Sequence, residues 1–194
     1  MASPLRKSTL ALPALLAALS LGACANSTRV TTGTYAGESG VAAPYLNVGP
    51  LIYQVQLSRQ LNPYDTEDAS YLRGLSAAQR KLVPGQQWFA VFMQVYNNTT
   101  SPHPAAGDIT IFDTEGTTYQ PITPSGVNEF AYRPVMVPPK GRLPEPNTVA
   151  ANGTTQGAVL LYKINVSSLD NRPIQVKIVD PTQPRLTAQA ELDV

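Results

Sequence analysis

One cysteine, one histidine and one tryptophan occur among 194 residues, and only 14% of the side chains are charged. Each scarcity removes a class of function. A lone cysteine allows no intrachain disulfide, so the fold rests on packing and sheet hydrogen bonds. With Cys24 as the sole cysteine and His103 as the sole histidine, a zinc site has too few donors. A histidine flanked by Pro102 and Pro104, with no Gly-x-Ser-x-Gly elbow anywhere, gives no hydrolase triad. Glycine-rich nucleotide loops are missing too. The formal net charge of +1 offers no basic field for a nucleic acid backbone.

Long apolar runs are equally scarce. The longest, from Leu10 to Leu21, follows Arg6 and Lys7 and falls short of the roughly 20 apolar residues a spanning helix needs. A basic start and a short apolar stretch make the pattern of a cleaved export signal over residues 1–23. Leu21-Gly22-Ala23-Cys24 follows at once and resembles the lipobox of bacterial lipoproteins. That resemblance implies a thiol carrying a diacylglyceryl group and cleavage that leaves Cys24 as the mature N-terminus. More than one acyl chain would hold it firmly, at roughly 0.8 kcal/mol per buried methylene. Losing the signal removes two of the 14 Lys and Arg side chains and none of the 13 Asp and Glu, so the mature chain is near neutral.

Ala25 to Ala43 is dominated by Ser, Thr, Gly and other small residues, and residues 24–43 are expected to form a lipidated, flexible tether. The remainder, 44–194, is long enough for one domain with a real core. Alternation sets Leu51, Tyr53, Val55 and Leu57 on one face of a strand. Asn62-Pro63-Tyr64-Asp65 marks a turn, and Ser76-Ala77-Ala78-Gln79 fits a capping box for a helix that Pro84-Gly85 keeps short. Trp88 to Tyr96 is the strongest strand. Its Phe89/Val91/Met93/Val95 face is wholly apolar and its other face carries Trp88 and Phe92, as for a central strand covered on both sides. Ile109 to Phe112, the Glu115-Gly116 turn and Thr117 to Tyr119 read as a hairpin. Late strands follow at Gln156 to Ile164 and Pro173 to Ile178, with a weak one at Leu186 to Leu192. The sum is an all-β antiparallel sandwich of about seven strands with at most one short helix.

Three of these motifs carry a family likeness. Gly85 to Asn98, Asp113-Thr114-Glu115-Gly116-Thr117-Thr118-Tyr119, and Ala151 to Tyr162 are similar to the immunoglobulin-like domains of extracytoplasmic bacterial lipoproteins of unknown function. A secreted mycobacterial immunoprotective antigen has a related domain. The likeness covers roughly 85–180 and implies an immunoglobulin-like sandwich. It brings no catalytic set with it. The segments 51–74 and 120–153 depart from the minimal domain, and loops on a rigid scaffold carry most binding roles.

Candidate sites are correspondingly few. Tyr64, Tyr71, Trp88, Phe130 and Tyr132 could form an aromatic recognition surface, since such side chains give large contact area for little entropy. Asp65, Glu67 and Asp68 make the best carboxylate cluster for calcium, although the twelve-residue loop with its final Glu is missing. The expected protein is no enzyme and uses no cofactor. It is an extracytoplasmic binding or scaffolding module of the cell envelope, attached to membrane lipid through Cys24 in an inner or outer membrane, with an envelope protein or a cell-wall glycan as partner. The alternative is a small-ligand carrier or enzyme with a pocket under residues 120–153.

Overall fold

The computed structural model describes residues 30–34 and 45–192. The export signal and Cys24 lie outside the described residues. In chain order the strands are β1 (Val30–Thr34), β2 (Tyr45–Val48), β3 (Leu51–Leu61), β4 (Gln86–Tyr96), β5 (His103–Pro104), β6 (Ile109–Phe112), β7 (Thr118–Tyr119), β8 (Met136–Val137), β9 (Arg142–Leu143), β10 (Ala158–Asn165), β11 (Gln175–Val179) and β12 (Thr187–Glu191). Helices α1 (Thr66–Tyr71) and α2 (Ala77–Arg80) lie between β3 and β4, α3 (Val149–Asn152) precedes β10, and a 3-10 turn covers Val166–Leu169.

Two sheets face each other as a β-sandwich. One runs β1-β12-β11-β6-β7; the other runs β10-β4-β3-β2, with β9 prolonging the β10 side at the end of β4. Between these named strands every pairing is antiparallel except β1 with β12. Phe89, Val91, Met93 and Val95 of β4 meet Ile109, Ile111, Val176 and Ile178 of the facing sheet, all fully buried. The opposite face of β4 is covered as well. Trp88, Ala90 and Phe92 pack with Leu61, Val159 and Leu161 under Tyr71, Leu72 and Leu75 from the α1–α2 region. Both layers bury apolar surface, worth about 25 cal/mol per Å² removed from water, which explains why β4 is apolar on both faces.

Several expectations need correction. Leu57 does not share the face of Tyr53 and Val55: a β-bulge at Gln56 shifts the register between Val55↔Met93 and Leu57↔Phe92. The extra residue inverts the alternation, so Leu57 and Leu61 turn to the outer layer. Five residues of the presumed tether, Val30–Thr34, form a strand pairing parallel with β12, Val30 opposite Thr187 and Thr34 opposite Glu191. Val and Thr suit an extended backbone, and β12 offers its edge. In place of at most one helix and about seven strands, the described residues form three short α-helices and twelve strands, several of them only two residues long. The capping box stands as read: Ser76 Oγ accepts from Gln79 N and Gln79 Oε1 accepts from Ser76 N.

The family-like motifs fasten turns. Asp113 Oδ1 accepts from Glu115 N and Thr117 N, and its Oδ2 accepts from Ser168 Oγ at 2.6 Å. The Tyr119 hydroxyl joins the same serine at 2.6 Å and accepts from Asn165 N. The β6–β7 hairpin is thereby stapled to the 3-10 turn. Burial alone would raise the Asp113 carboxyl, but the bonds from Ser168, Thr117 and Glu115 outweigh it and hold the group below the usual carboxylate range. Asn97, fully buried, donates to the carbonyls of Ser101 and Val137 and accepts from Thr99.

Candidate binding groove

The connection between β7 and β10 supplies the walls of a groove. Its first length runs beside β10: Ile122 N donates to Leu161 O, Val159 N to Phe130 O, and Tyr132 N to Val159 O, at 2.7, 2.7 and 2.9 Å. Asn128, buried, fixes the bend by donating to the carbonyls of Tyr71 and Arg73 and accepting from Phe130 N. The Arg133 guanidinium folds back onto the carbonyls of Pro124 and Ser125, the latter at 2.6 Å. In the second length, β9 ends on β4 and Thr148 caps α3 by accepting from Ala151 N. Gly157 N then donates to Ala150 O at 2.8 Å. Both lengths are therefore held by backbone bonds to the sandwich.

Between them lies a groove of about 300 Å³. Tyr132, Leu143, Ala150 and Ala158 make a buried apolar floor, Val135 and Pro144 flank it, and Glu129 and Glu145 stand exposed in its lining. The floor is positioned from below. The Tyr132 hydroxyl donates to Ala106 O at 2.8 Å, and Ala106 N donates to the Tyr53 hydroxyl at 2.7 Å. Nearby, the Tyr162 hydroxyl donates to Ile109 O. Burial pushes the Tyr53 hydroxyl up to about 12, against the opposing bond from Ala106 N. Tyr132 is raised well above its usual value, burial first and then Tyr53. Tyr162 is raised by burial. All three stay neutral and hydrogen-bonded, as buried polar groups must.

The aromatic candidates do not form one surface. Tyr64 is 95% exposed, whereas Tyr71, Trp88 and Tyr132 are buried. Phe130 is half-buried, edge-on to Tyr71 with centroids 5.0 Å apart. Tyr71, Trp88 and Phe130 complete the outer layer, Tyr132 belongs to the main core, and only Tyr64 projects. It borders a second groove of about 310 Å³ with Pro63, Leu72, Arg80, Leu82 and Trp88. That groove lies at the opposite end of β3 and β4, since Leu61 pairs with Trp88 there while Ile52 pairs with Tyr96 at the other end.

The carboxylate cluster is diverted into structural tasks. Asp65 caps α1 by accepting from Glu67 N and Asp68 N, and Glu67 accepts from the Tyr71 hydroxyl. Asp68 is buried, pairs with Arg59 at 2.5 Å and accepts from Asn62 N. Among the described residues no three His, Cys, Asp or Glu side chains come together to hold a metal ion. The calcium reading is therefore corrected: the three acids serve different partners. The acids of the groove, Glu129 and Glu145, were not singled out by sequence, because neither belongs to a spaced motif and only the fold brings them to one opening. His103 sits half-buried in β5 opposite Val137.

No protein-family model matches the chain, and no curated protein is similar to it. Solved structures are. YjhA of Bacillus subtilis has a TM-score of 0.52 at 10% identity, covering 78% of this chain and 98% of that one. What the two share is the fold. Weaker likenesses are to YcdA of Bacillus subtilis strain 168, described as a candidate lipoprotein (TM-score 0.44, 11% identity, 76% of this chain), and to an uncharacterised β-sandwich protein of Clostridium difficile 630 (0.44, 8% identity, 85% of this chain and 97% of that one). This chain spans about 38% of the length of YcdA. Among the described residues no helix is long and apolar enough to cross a membrane.

Proposed function

We propose that the chain is a lipid-anchored binding module of the bacterial cell envelope, attached outside the cytoplasm through Cys24, with the β7–β10 connection as its recognition surface. The observation that carries this reading is the groove itself. Long connections are uncommon in compact domains, and those that are ordered are usually functional. Here its two lengths are tied separately to β10 and β4, and a concave apolar floor is left between them. Such floors with a few polar groups at the rim are how binding sites are commonly built.

Binding is favoured over chemistry. Asn128, Tyr132, Arg133 and Thr148, the polar side chains lining the groove besides the two acids, are each committed to backbone partners. The sequence pattern at Leu21 to Cys24 supports the anchor, and the resemblance to immunoglobulin-like lipoprotein domains, that of the mycobacterial antigen included, agrees with it. A photo-crosslinking residue placed at Val135, compared with one at Thr118 on the facing sheet, tests the reading in intact cells. One discrete adduct from Val135 alone supports it; equal labelling from both, or none, would overturn it. For the anchor, Cys24→Ala should lose acyl labelling and leave the membrane fraction, and retention there would refute attachment through Cys24.

A further inference from the structure

We infer that the groove takes a basic side chain, an alkylammonium or alkylguanidinium head on a hydrocarbon stem, presented by a partner protein. The inference rests on the binding-module reading and adds the chemistry of the occupant. The floor of Tyr132, Leu143, Ala150 and Ala158 is apolar and buried, so it can cover methylenes but offers a charge nothing. The lining's two acids are exposed, and neither Glu129 nor Glu145 joins an ion pair among the described residues. A side chain with an apolar stem and a charged tip meets both conditions at once, stem on the floor and head at the carboxylates.

The single cation in the lining does not reverse this sign. Arg133 donates to Pro124 O and Ser125 O, so its guanidinium is spent on the connection's own carbonyls. An anionic ligand would meet two carboxylates at the opening and one guanidinium already engaged. The charge balance therefore favours a cation.

A protein side chain fits better than a free amine because apolar surface continues past the opening. Val135 lines the groove and is still 46% exposed. A small amine would leave much of it in water. A partner surface would cover it while inserting one basic residue.

The test uses the full chain in detergent micelles, isotope-labelled for NMR, titrated with four probes. These are acetyl-Gly-Lys-Gly-amide, its norleucine and glutamate counterparts, and n-butylammonium. The lysine peptide should shift the amides of Ala131, Thr148 and Ala158 and bind about fivefold more tightly than the norleucine peptide. The double variant Glu129→Gln/Glu145→Gln should remove that margin and leave norleucine binding unchanged; both positions are exposed, so the fold is retained. Raising the salt should narrow the margin as well. Equal binding of lysine and norleucine peptides, or preference for glutamate, would overturn the assignment of charge. Butylammonium binding as tightly as the peptide would overturn the assignment to a protein. No shift in the groove with any probe would overturn the inference outright, while the in-cell crosslinking from Val135 judges the binding-module reading separately.

Discussion

The hydroxyls of Tyr53 and Tyr132 grip one residue from both sides: Tyr53 accepts from Ala106 N, and Tyr132 donates to Ala106 O. Tyr53 comes from β3 and Tyr132 from the β7–β10 connection, so the backbone of Ala106 joins the groove floor to the centre of the sandwich. Losing either hydroxyl strands a buried backbone group. Tyr53→Phe and Tyr132→Phe should each cost about 1–3 kcal/mol in urea unfolding. Because both act on one residue, the double variant should cost less than the sum of the singles.

The same tyrosines set an alkaline limit. Their folded-state values are raised, so the unfolded chain releases these protons first, near pH 10. Their contribution is fully present below pH 10 and for Tyr53 is lost as pH rises towards about 12. The urea midpoint should fall across that window, and Tyr53→Phe should make the fall shallower.

Asp113 has the opposite sign. Its folded value is lowered, so its contribution is present above the unfolded carboxylate value of about 3.9 and disappears as pH falls through the lower folded one. Asp113→Asn should cost about 1–3 kcal/mol at neutral pH, because the bond from Ser168 and the turn amides lose a charged acceptor. Unfolding curves of the two proteins should converge as pH drops towards 2.

Two glycines separate backbone strain from steric contact. Gly116 and Gly157 have φ of +84° and +113°, but a Cβ at 116 meets nothing within 4 Å, while one at 157 would lie 2.8 Å from Met93 N. Gly116→Ala should cost about 1–2 kcal/mol for the left-handed conformation alone. Gly157→Ala should cost clearly more, because β10 must move off β4. Thermal unfolding of the pair gives the ranking directly.

The outer layer can be told from the exposed tip by stability. Trp88→Ala should cost about 3–5 kcal/mol, since it opens a cavity beside Phe92 and Leu61. Tyr64→Ala should lie within about 0.5 kcal/mol of the parent, because its ring is 95% exposed. A large loss on Tyr64→Ala would show that the ring packs against something.

Much of the sandwich was legible because alternation reports burial directly. The two-faced apolar pattern of β4 announced a second layer, and Asp113, Gly116 and Tyr119 marked their hairpin. The misses have local causes. A bulge at Gln56 carries no sequence mark, so Leu57 was placed on the wrong face. Helix α1 had a readable start, Asp65 before Thr66-Glu67-Asp68, but the Pro63 turn and polar composition masked it. The aromatic residues were read for their capacity to bind, yet Tyr71, Trp88 and Tyr132 have apolar neighbours supplied by distant segments. The groove escaped for a related reason. Its acids at 129 and 145 and its floor at 132, 143, 150 and 158 meet only once both lengths have docked.

The pairing of Val30–Thr34 with β12 reaches beyond the fold of one molecule. A chain trimmed to start at Tyr45 would leave the amides and carbonyls along that side of β12 without these partners. An open edge of this kind recruits strands from other molecules. The five residues that follow the expected anchor so closely would thus shield this edge of β12 from pairing with another molecule.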